Sequence, residues 1–311
     1  MVNKRTAVVL LNLGGPDTQQ AVGPFLYNLF SDPAIIPWPA PLRQILARGI
    51  SALRLRKAQG IYAHLGGGSP ILANTQKQAA VLSEELGSAY QVFVAMRYWH
   101  PFIAETVAQV KDGNFAQVIL LPLYPQFSTT TTESSFREWH SQSLVQKLGT
   151  PSRSVDSYAG HAFFAQAYAD LIRPQLAQAK RWGRPRLLLS AHGLPQSVVD
   201  NGDPYEDQVS QSSKAIVELL KDCGEFDWQI CYQSRVGPKR WLKPSLDEAL
   251  AQAQSPVVVV PISFVSEHSE TLVELDITYA QKAKQMGIPF YGRVATVSCH
   301  PLFIKGLAAL C

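Results

Sequence analysis

VVVVPISFVSEHSETLVELD, residues 257 to 276, runs a four-valine strand straight into Glu267, His268, Glu270, Glu274 and Asp276. Valine at every position suits a strand buried on both faces of a parallel sheet. If the segment after it is helical, Glu267, Glu270 and Glu274 fall at i, i+3 and i+7. That stacks three like charges on one face and costs stability unless something positive sits there. An imidazole among carboxylates is a fair ligand set for a divalent metal; the alternative is a solvated acidic helix face. Position favours the ligand reading, because a helix that follows a buried parallel strand begins at the carboxyl edge of the sheet, where open α/β proteins place their ligands.

Short apolar runs rich in β-formers alternate with longer helical patterns along the rest of the chain, the signature of parallel sheets covered by helices. Strands are expected at Ala7 to Leu13, Gln91 to Met96, Val118 to Leu123, Arg186 to Ala191, Trp228 to Tyr232 and Val257 to Phe264. Helices are expected at Pro70 to Leu86, Ile103 to Lys111, Ser135 to Leu148, His161 to Ala179, Tyr205 to Lys221 and Ser269 to Met286. The chain also repeats itself. VILLPLYPQFSTTTTE from Val118 lies over VVVVPISFVSEHSETL from Val257, with Pro122 matching Pro261. Leu13-Gly14-Gly15-Pro16 lies over His192-Gly193-Leu194-Pro195, and Met96-Arg97 over Ser234-Arg235. Three matches in one order give two related α/β domains, residues 1–155 and 156–311, with the last helix a candidate for packing back on the first. The first half is longer, and its excess, an insertion at about residues 30–74, is the expected elaboration around a site.

Bulk properties narrow the setting. The chain has 311 residues, 46% hydrophobic and 17% charged, with a formal net charge of +4. That balance, without a dense basic run, argues against a nucleic-acid partner and fits an anionic small ligand. The apolar run near the N-terminus enters a Gly-Gly-Pro turn without a signal-peptide cleavage pattern, and no segment reaches membrane-spanning length. Cys223, Cys231, Cys299 and Cys311 are scattered without a C-x-x-C pair, so a reducing, cytoplasmic location is expected.

The second informative segment is LLLSAHGLPQSVVDNGDPY, residues 187 to 205. His192 ends a buried strand there, as Glu270 falls just beyond another. Two such residues on one sheet edge are candidates to face one cleft, the alternative for His192 being a satisfied structural histidine.

Ser190-Ala191-His192-Gly193-Leu194-Pro195, Gly202-Asp203-Pro204-Tyr205 and Ser266-Glu267-His268-Ser269-Glu270-Thr271-Leu272 together resemble the ferrochelatases, enzymes that insert Fe(II) into a porphyrin. The likeness extends to Leu11-Asn12-Leu13-Gly14-Gly15-Pro16, Tyr62 with Gly66 to Pro70, Met96-Arg97-Tyr98, Leu123-Tyr124-Pro125-Gln126 and Gln233-Ser234-Arg235-Val236-Gly237-Pro238, in the family's order across nearly the whole chain. The resemblance implies two similar Rossmann-like, chelatase-type domains with a cleft between them. It implies His192 and Glu270 as the catalytic and metal-binding pair on either side of the macrocycle. Glu267, His268 and Glu274 become a metal or proton path behind Glu270, with a π-type widening of their helix. Leu13, Arg54, Tyr62, Ser69, Arg97 and Tyr98 match porphyrin-binding positions.

The same resemblance makes protoporphyrin IX and Fe(II) the substrates and the reaction the terminal step of heme biosynthesis. Leu13 stands where coproporphyrin III enzymes tend to carry tyrosine. No tightly bound cofactor and no [2Fe-2S] cluster are expected of this bacterial type, and the chain's end at Cys311 points to a monomer. Ile35, Ile36, Trp38 and Leu42 resemble an apolar lip that touches the inner face of the membrane peripherally. The alternatives are a coproporphyrin III ferrochelatase, a sirohydrochlorin chelatase, in which a second histidine would stand near Glu270, and a heme- or metal-binding protein without turnover.

Overall fold

The computed structural model describes residues 4–235 and 237–311, so Val236 of the Gln233 to Pro238 motif and the first three residues lie outside the described residues. The chain divides into two compact units, Met1–Ser157 with Leu307–Cys311, and Tyr158–Gly306. In the first, the order is β1 (Thr6–Asn12), α1 (Val22–Phe30), α2 (Ala40–Ala63), α3 (Ile71–Leu86), β2 (Tyr90–Met96), α4 (Ile103–Asp112), β3 (Gln117–Pro122), α5 (Thr132–Val145) and β4 (Ser152–Ser154). The second has α6 (Ala162–Ala179), β5 (Arg186–His192), α7 (Gln196–Asp200), α8 (Tyr205–Glu218), β6 (Asp227–Gln233), α9 (Leu246–Ala251) and β7 (Val257–Pro261). A π-helix (Glu270–Tyr279), α10 (Ala280–Gln285), β8 (Tyr291–Arg293) and α11 (Pro301–Ala309) follow. The end of α11 groups with the first unit, where Arg153 Nη2 donates to the Leu310 carbonyl at 3.0 Å.

Among the described residues each unit holds a four-stranded parallel sheet, ordered β2-β1-β3-β4 and β6-β5-β7-β8. The duplication reaches the register. Leu11 on β1 stands opposite Pro122 on β3, and Ser190 on β5 stands opposite Pro261 on β7, the pairing that the matched Leu13 and His192 require. The third sequence match slips by two residues, because Asn12 opposes Met96 while the corresponding Ala191 opposes Tyr232, not Ser234. β1, β3, β5 and β7 are buried almost throughout, as central strands covered on both faces must be.

In the second unit, Phe164, Tyr168, Ile172 and Leu176 line one buried face of α6 at the i, i+4 spacing of a core-facing stripe. Tyr168 also reaches past the end of β7, its hydroxyl 2.8 Å from the Pro261 carbonyl and 2.7 Å from that of Phe264. That fixes the turn from which the acidic segment departs.

The insertion of the first unit is dominated by α2, a helix of 24 residues whose buried positions are Ala47, Ser51 and Tyr62. Asp32, just before it, is 4% exposed. Its carboxylate accepts from Tyr98 Oη at 2.8 Å and Ser134 Oγ at 2.5 Å and pairs with Arg97 Nη2 at 2.8 Å. A buried carboxylate is tolerated only with partners of this kind. Asp32→Ala, which strands Arg97 and Tyr98, is therefore expected to destabilise the protein by on the order of 3 kcal/mol. The measurement is the urea midpoint at unchanged slope; an unshifted midpoint would remove Asp32 from the residues that hold this unit together.

Candidate active site

β5 carries His192 to the carboxyl edge of the second sheet, where the chain must turn at once. Gly193 makes the turn against the neighbouring strand: a Cβ there would lie 2.9 Å from the Gln233 carbonyl oxygen, too close for any side chain, so only glycine fits. The His192 amide donates to Ser263 Oγ at 2.9 Å, and its carbonyl accepts from Tyr205 Oη at 2.9 Å. The backbone under the imidazole is thus tied to the segment after β7 and to α8.

The ring itself meets Glu270, with Nδ1 2.8 Å from Oε2. A carboxylate acceptor fixes the hydrogen on Nδ1 and leaves Nε2 as the lone-pair nitrogen of the neutral ring. Burial works against a charged imidazole here, yet the charge and hydrogen bond of Glu270 outweigh it and raise the His192 pKa. Burial also opposes ionisation of Glu270, and is outweighed by His192, His268 and the Ser234 hydroxyl, which hold its carboxyl below the ordinary range.

Glu270 opens a π-helix. The Ala280 amide at its far end reaches the Leu275 carbonyl, five residues back, the bonding that defines the π form and that recurs at functional sites. Glu274, four residues on from Glu270, is drawn to the same point. The Ser234 hydroxyl lies 2.7 Å from Glu270 Oε2 and 2.5 Å from Glu274 Oε2, and the Ser234 amide donates to Glu274 Oε1 at 3.0 Å. A hydroxyl has one hydrogen to give. Both contacts are therefore satisfied when one carboxyl carries a proton of its own. Glu274 is the more inclined of the two to take one, since burial and the charge of Glu270 push its pKa up.

Ser234 performs this with φ at +62°, a left-handed conformation that a non-glycine residue adopts at a cost of about 1 kcal/mol or more and that clusters at functional sites. Gln233 secures it from behind, accepting from Ser190 Oγ at 2.8 Å and donating to the Glu270 carbonyl at 3.0 Å. Sequence alone assigns neither residue a role. The available signal was the Gln233 to Pro238 motif, but a serine after a strand gives no warning of a positive φ.

His268 is buried, its Nδ1 3.0 Å from the Ser266 carbonyl and its ring 4.6 Å from that of Phe264. Burial lowers its pKa. Glu267 is engaged elsewhere: it pairs with Arg293 Nη1 at 2.6 Å and accepts from the Thr296 amide at 2.9 Å. Burial opposes its ionisation, but Arg293, Thr271 and Thr296 prevail and lower its pKa. Among the described residues no three His, Cys, Asp or Glu side chains converge as a metal site. The His192 and Glu270 pair offers two potential metal donors, Nε2 and the carboxylate.

The remaining expected residues belong to the first unit. Leu13 packs with Val22, Phe25, Leu26, Tyr62 and Tyr98 in one apolar cluster. Arg54 lies over the Phe30 ring, 5.5 Å from its centre, and burial lowers its pKa. Ser69 donates its amide to Pro16 and backs onto Gly15, where a Cβ would sit 2.6 Å from its own. The Arg97 guanidinium and the Tyr98 hydroxyl are committed to Asp32. Ile36 is buried and Ile35 half-buried, whereas Trp38 and Leu42 are 53% and 54% exposed. No helix among the described residues is long and apolar enough to cross a membrane.

Known proteins resemble the chain along its length. The family model described as Ferrochelatase matches residues 5–311. Curated proteins named Ferrochelatase from Wolbachia pipientis wMel and Caulobacter vibrioides are 48% and 46% identical to it over 99% of this chain, covering 98% and 89% of their own lengths. Among solved structures, the sirohydrochlorin chelatase SirB of Bacillus subtilis subspecies spizizenii, in complex with cobalt, aligns over 98% of this chain and 93% of its own with a TM-score of 0.58 at 11% identity. CbiX, the terminal enzyme for biosynthesis of siroheme in denitrifying bacteria, aligns over 98% of this chain and 97% of its own with a TM-score of 0.52 at 13% identity. These two likenesses bear on the fold.

The pair makes a prediction of definite sign. The negative charge of Glu270 favours imidazolium, so Glu270→Gln removes the larger raising influence and leaves only the weaker one of Glu274 against burial, which lowers. The His192 imidazole, followed by NMR in metal-free protein, is expected to titrate at lower pH in the variant. An unchanged or higher midpoint contradicts the pairing.

Proposed function

This chain belongs to the ferrochelatase family and is a porphyrin metal chelatase, a lyase, and from that premise we propose that it inserts Fe(II) into protoporphyrin IX at His192 and Glu270. The observation that carries the proposal is the 2.8 Å contact between His192 Nδ1 and Glu270 Oε2 at the carboxyl edge of the second sheet.

Insertion exchanges two pyrrole protons for one divalent ion, so the site must supply a base and a ligand together. In this reading His192 Nε2 is the base: it is neutral when deprotonated, and the carboxylate on Nδ1 makes the ring more basic and stabilises the imidazolium that forms. Glu270, anionic through its pairing, compensates the incoming metal charge while Fe(II) sheds water. The two protons leave in turn: each one taken at Nε2 displaces the Nδ1 proton to Glu270, the Ser234 hydroxyl hands it on to Glu274, and Glu274 releases it to solvent before the second follows. Glu267, held by Arg293, keeps the entrance of the π-helix in place.

Protoporphyrin rather than coproporphyrin III is supported by Leu13 and its apolar neighbours. Coproporphyrin III carries propionates where protoporphyrin has vinyl groups, and a vinyl is the better match for an apolar wall. Anaerobic insertion assays with the two porphyrins are expected to give a kcat/KM at least about tenfold higher for protoporphyrin IX, the discrimination that one misplaced polar group brings. Preference for coproporphyrin III would reverse the substrate assignment. His192→Ala and Glu270→Gln are each expected to lower kcat by roughly a hundred- to ten-thousand-fold, the range of general acid–base catalysis, with near-ultraviolet circular dichroism unchanged. Near-normal turnover would remove the residue concerned from the chemistry, and porphyrin binding without metallation by the parent protein would overturn the enzymatic reading.

A further inference from the structure

The last strand of the second sheet makes contacts that the proposed chemistry leaves unused. Arg293 ends β8, and its side chain is 12% exposed. Its guanidinium is divided between two carboxylates: Nη1 pairs with Glu267 Oε1 at 2.6 Å, while Nε and Nη2 take Asp276 Oδ1 at 2.7 Å and Oδ2 at 2.5 Å. Glu267 lies three residues before the start of the π-helix, and Asp276 lies within it. Two residues earlier on the same strand, Tyr291 donates from its hydroxyl to the Leu275 carbonyl at 2.9 Å. Alternate residues of a strand share a face, so β8 holds the π-helix with both side chains of one face.

We propose that Arg293 is a positioning residue for the reaction: its split guanidinium keeps the segment from Glu267 to Asp276 in the π form and so sets where Glu270 stands against His192.

A π-helix is rare because its bonding is poorer than that of the α form, so it persists where tertiary contacts select it. An α-helix bonds each amide four residues back, and the π form five. Conversion to α therefore rotates Asp276 about the helix axis relative to Glu267, and one planar guanidinium no longer reaches both carboxylates. Only arginine offers the fork that can bind one carboxylate with two donors while a third serves another. The mechanical path to His192 is short. β8 pairs with β7, with Arg293 opposite Val259, and β7 pairs with β5, which ends at His192. The sheet thereby carries the histidine and, through Arg293, the reference point of the helix that carries the glutamate.

The proposal rests on the reading of Glu270 given above, and the test separates the two. Fe(II) insertion into protoporphyrin IX is measured for Arg293→Met, Arg293→Lys, Asp276→Asn and Glu270→Gln, together with amide hydrogen exchange of the full-length protein by mass spectrometry. Arg293→Met is expected to lower kcat by about tenfold to a hundredfold, the cost of displaced supporting groups, with porphyrin KM within about twofold of the parent. Exchange is expected to rise in peptides spanning residues 270–280 and to stay at parent values in β5 and β7. Arg293→Lys, which keeps charge but loses the fork, should recover part of kcat. Asp276→Asn, at a partner 34% exposed, should show the same pattern more weakly, and it serves as the test if Arg293→Met does not fold. Unchanged kcat in these variants beside a large loss in Glu270→Gln overturns the proposal alone. Exchange rising equally throughout the second unit also overturns it, since that marks general destabilisation. Near-normal insertion by Glu270→Gln overturns the reading of Glu270, and the proposal with it.

Discussion

The hydrogen bond between His192 and Glu270 joins residues 78 apart in sequence, and much of the second unit can be understood as the means of making it at a fixed distance. A strand end and a helix start meet reliably only if both leave the same edge of one sheet. Parallel pairing supplies that edge, since β5, β6 and β7 all finish there. From the strand ends come His192, then Gln233 with Ser234, then the turn at Pro261. Each brings one part of the network, and none could be contributed by a strand of opposite direction without moving its side chain to the far edge.

The duplication explains why so much of this was legible from sequence. A buried parallel strand announces itself as an unbroken apolar run, and the runs at Val118 and Val257 end in matching prolines that face matching positions of their neighbours. The two shortest strands carry no such signal. β4 reads Ser-Arg-Ser and is fully exposed, and β8 reads Tyr-Gly-Arg. Three residues with a glycine or two serines carry no period, and they pair only because a longer strand offers them an edge. α2 has no sustained apolar stripe, with Leu42, Ile45 and Leu53 facing solvent, so hydrophobic periodicity had nothing to report. The insertion could be located by length alone.

The site was legible in its membership and less so in its arrangement. The acidic stretch could be recognised as unusual, but the sequence does not say which acid meets which partner. Asp32 is the clearest case. Nothing in the sequence around it marks it out, yet this carboxylate gathers Arg97, Tyr98 and Ser134. Two residues expected to line a ligand pocket thereby have their polar atoms committed to an internal ion pair. The Tyr98 ring packs with Leu13 and Tyr62.

Three stacked carboxylates at i, i+3 and i+7 would repel one another on an ordinary helix. Here each has its own electrostatic environment. Glu267 is neutralised from outside by Arg293, which serves Asp276 as well. Glu270 is neutralised from the strand by an imidazole whose charge depends on pH. Glu274 forms no ion pair among the described residues and answers the charge of Glu270 by rising in pKa, with Ser234 between them. The repulsion expected from spacing is thus turned into a gradient of proton affinity, lowest at Glu270 and higher at Glu274. A relay needs such a gradient, and here Glu270 and Glu274 meet at one serine hydroxyl while Glu267 is held by Arg293.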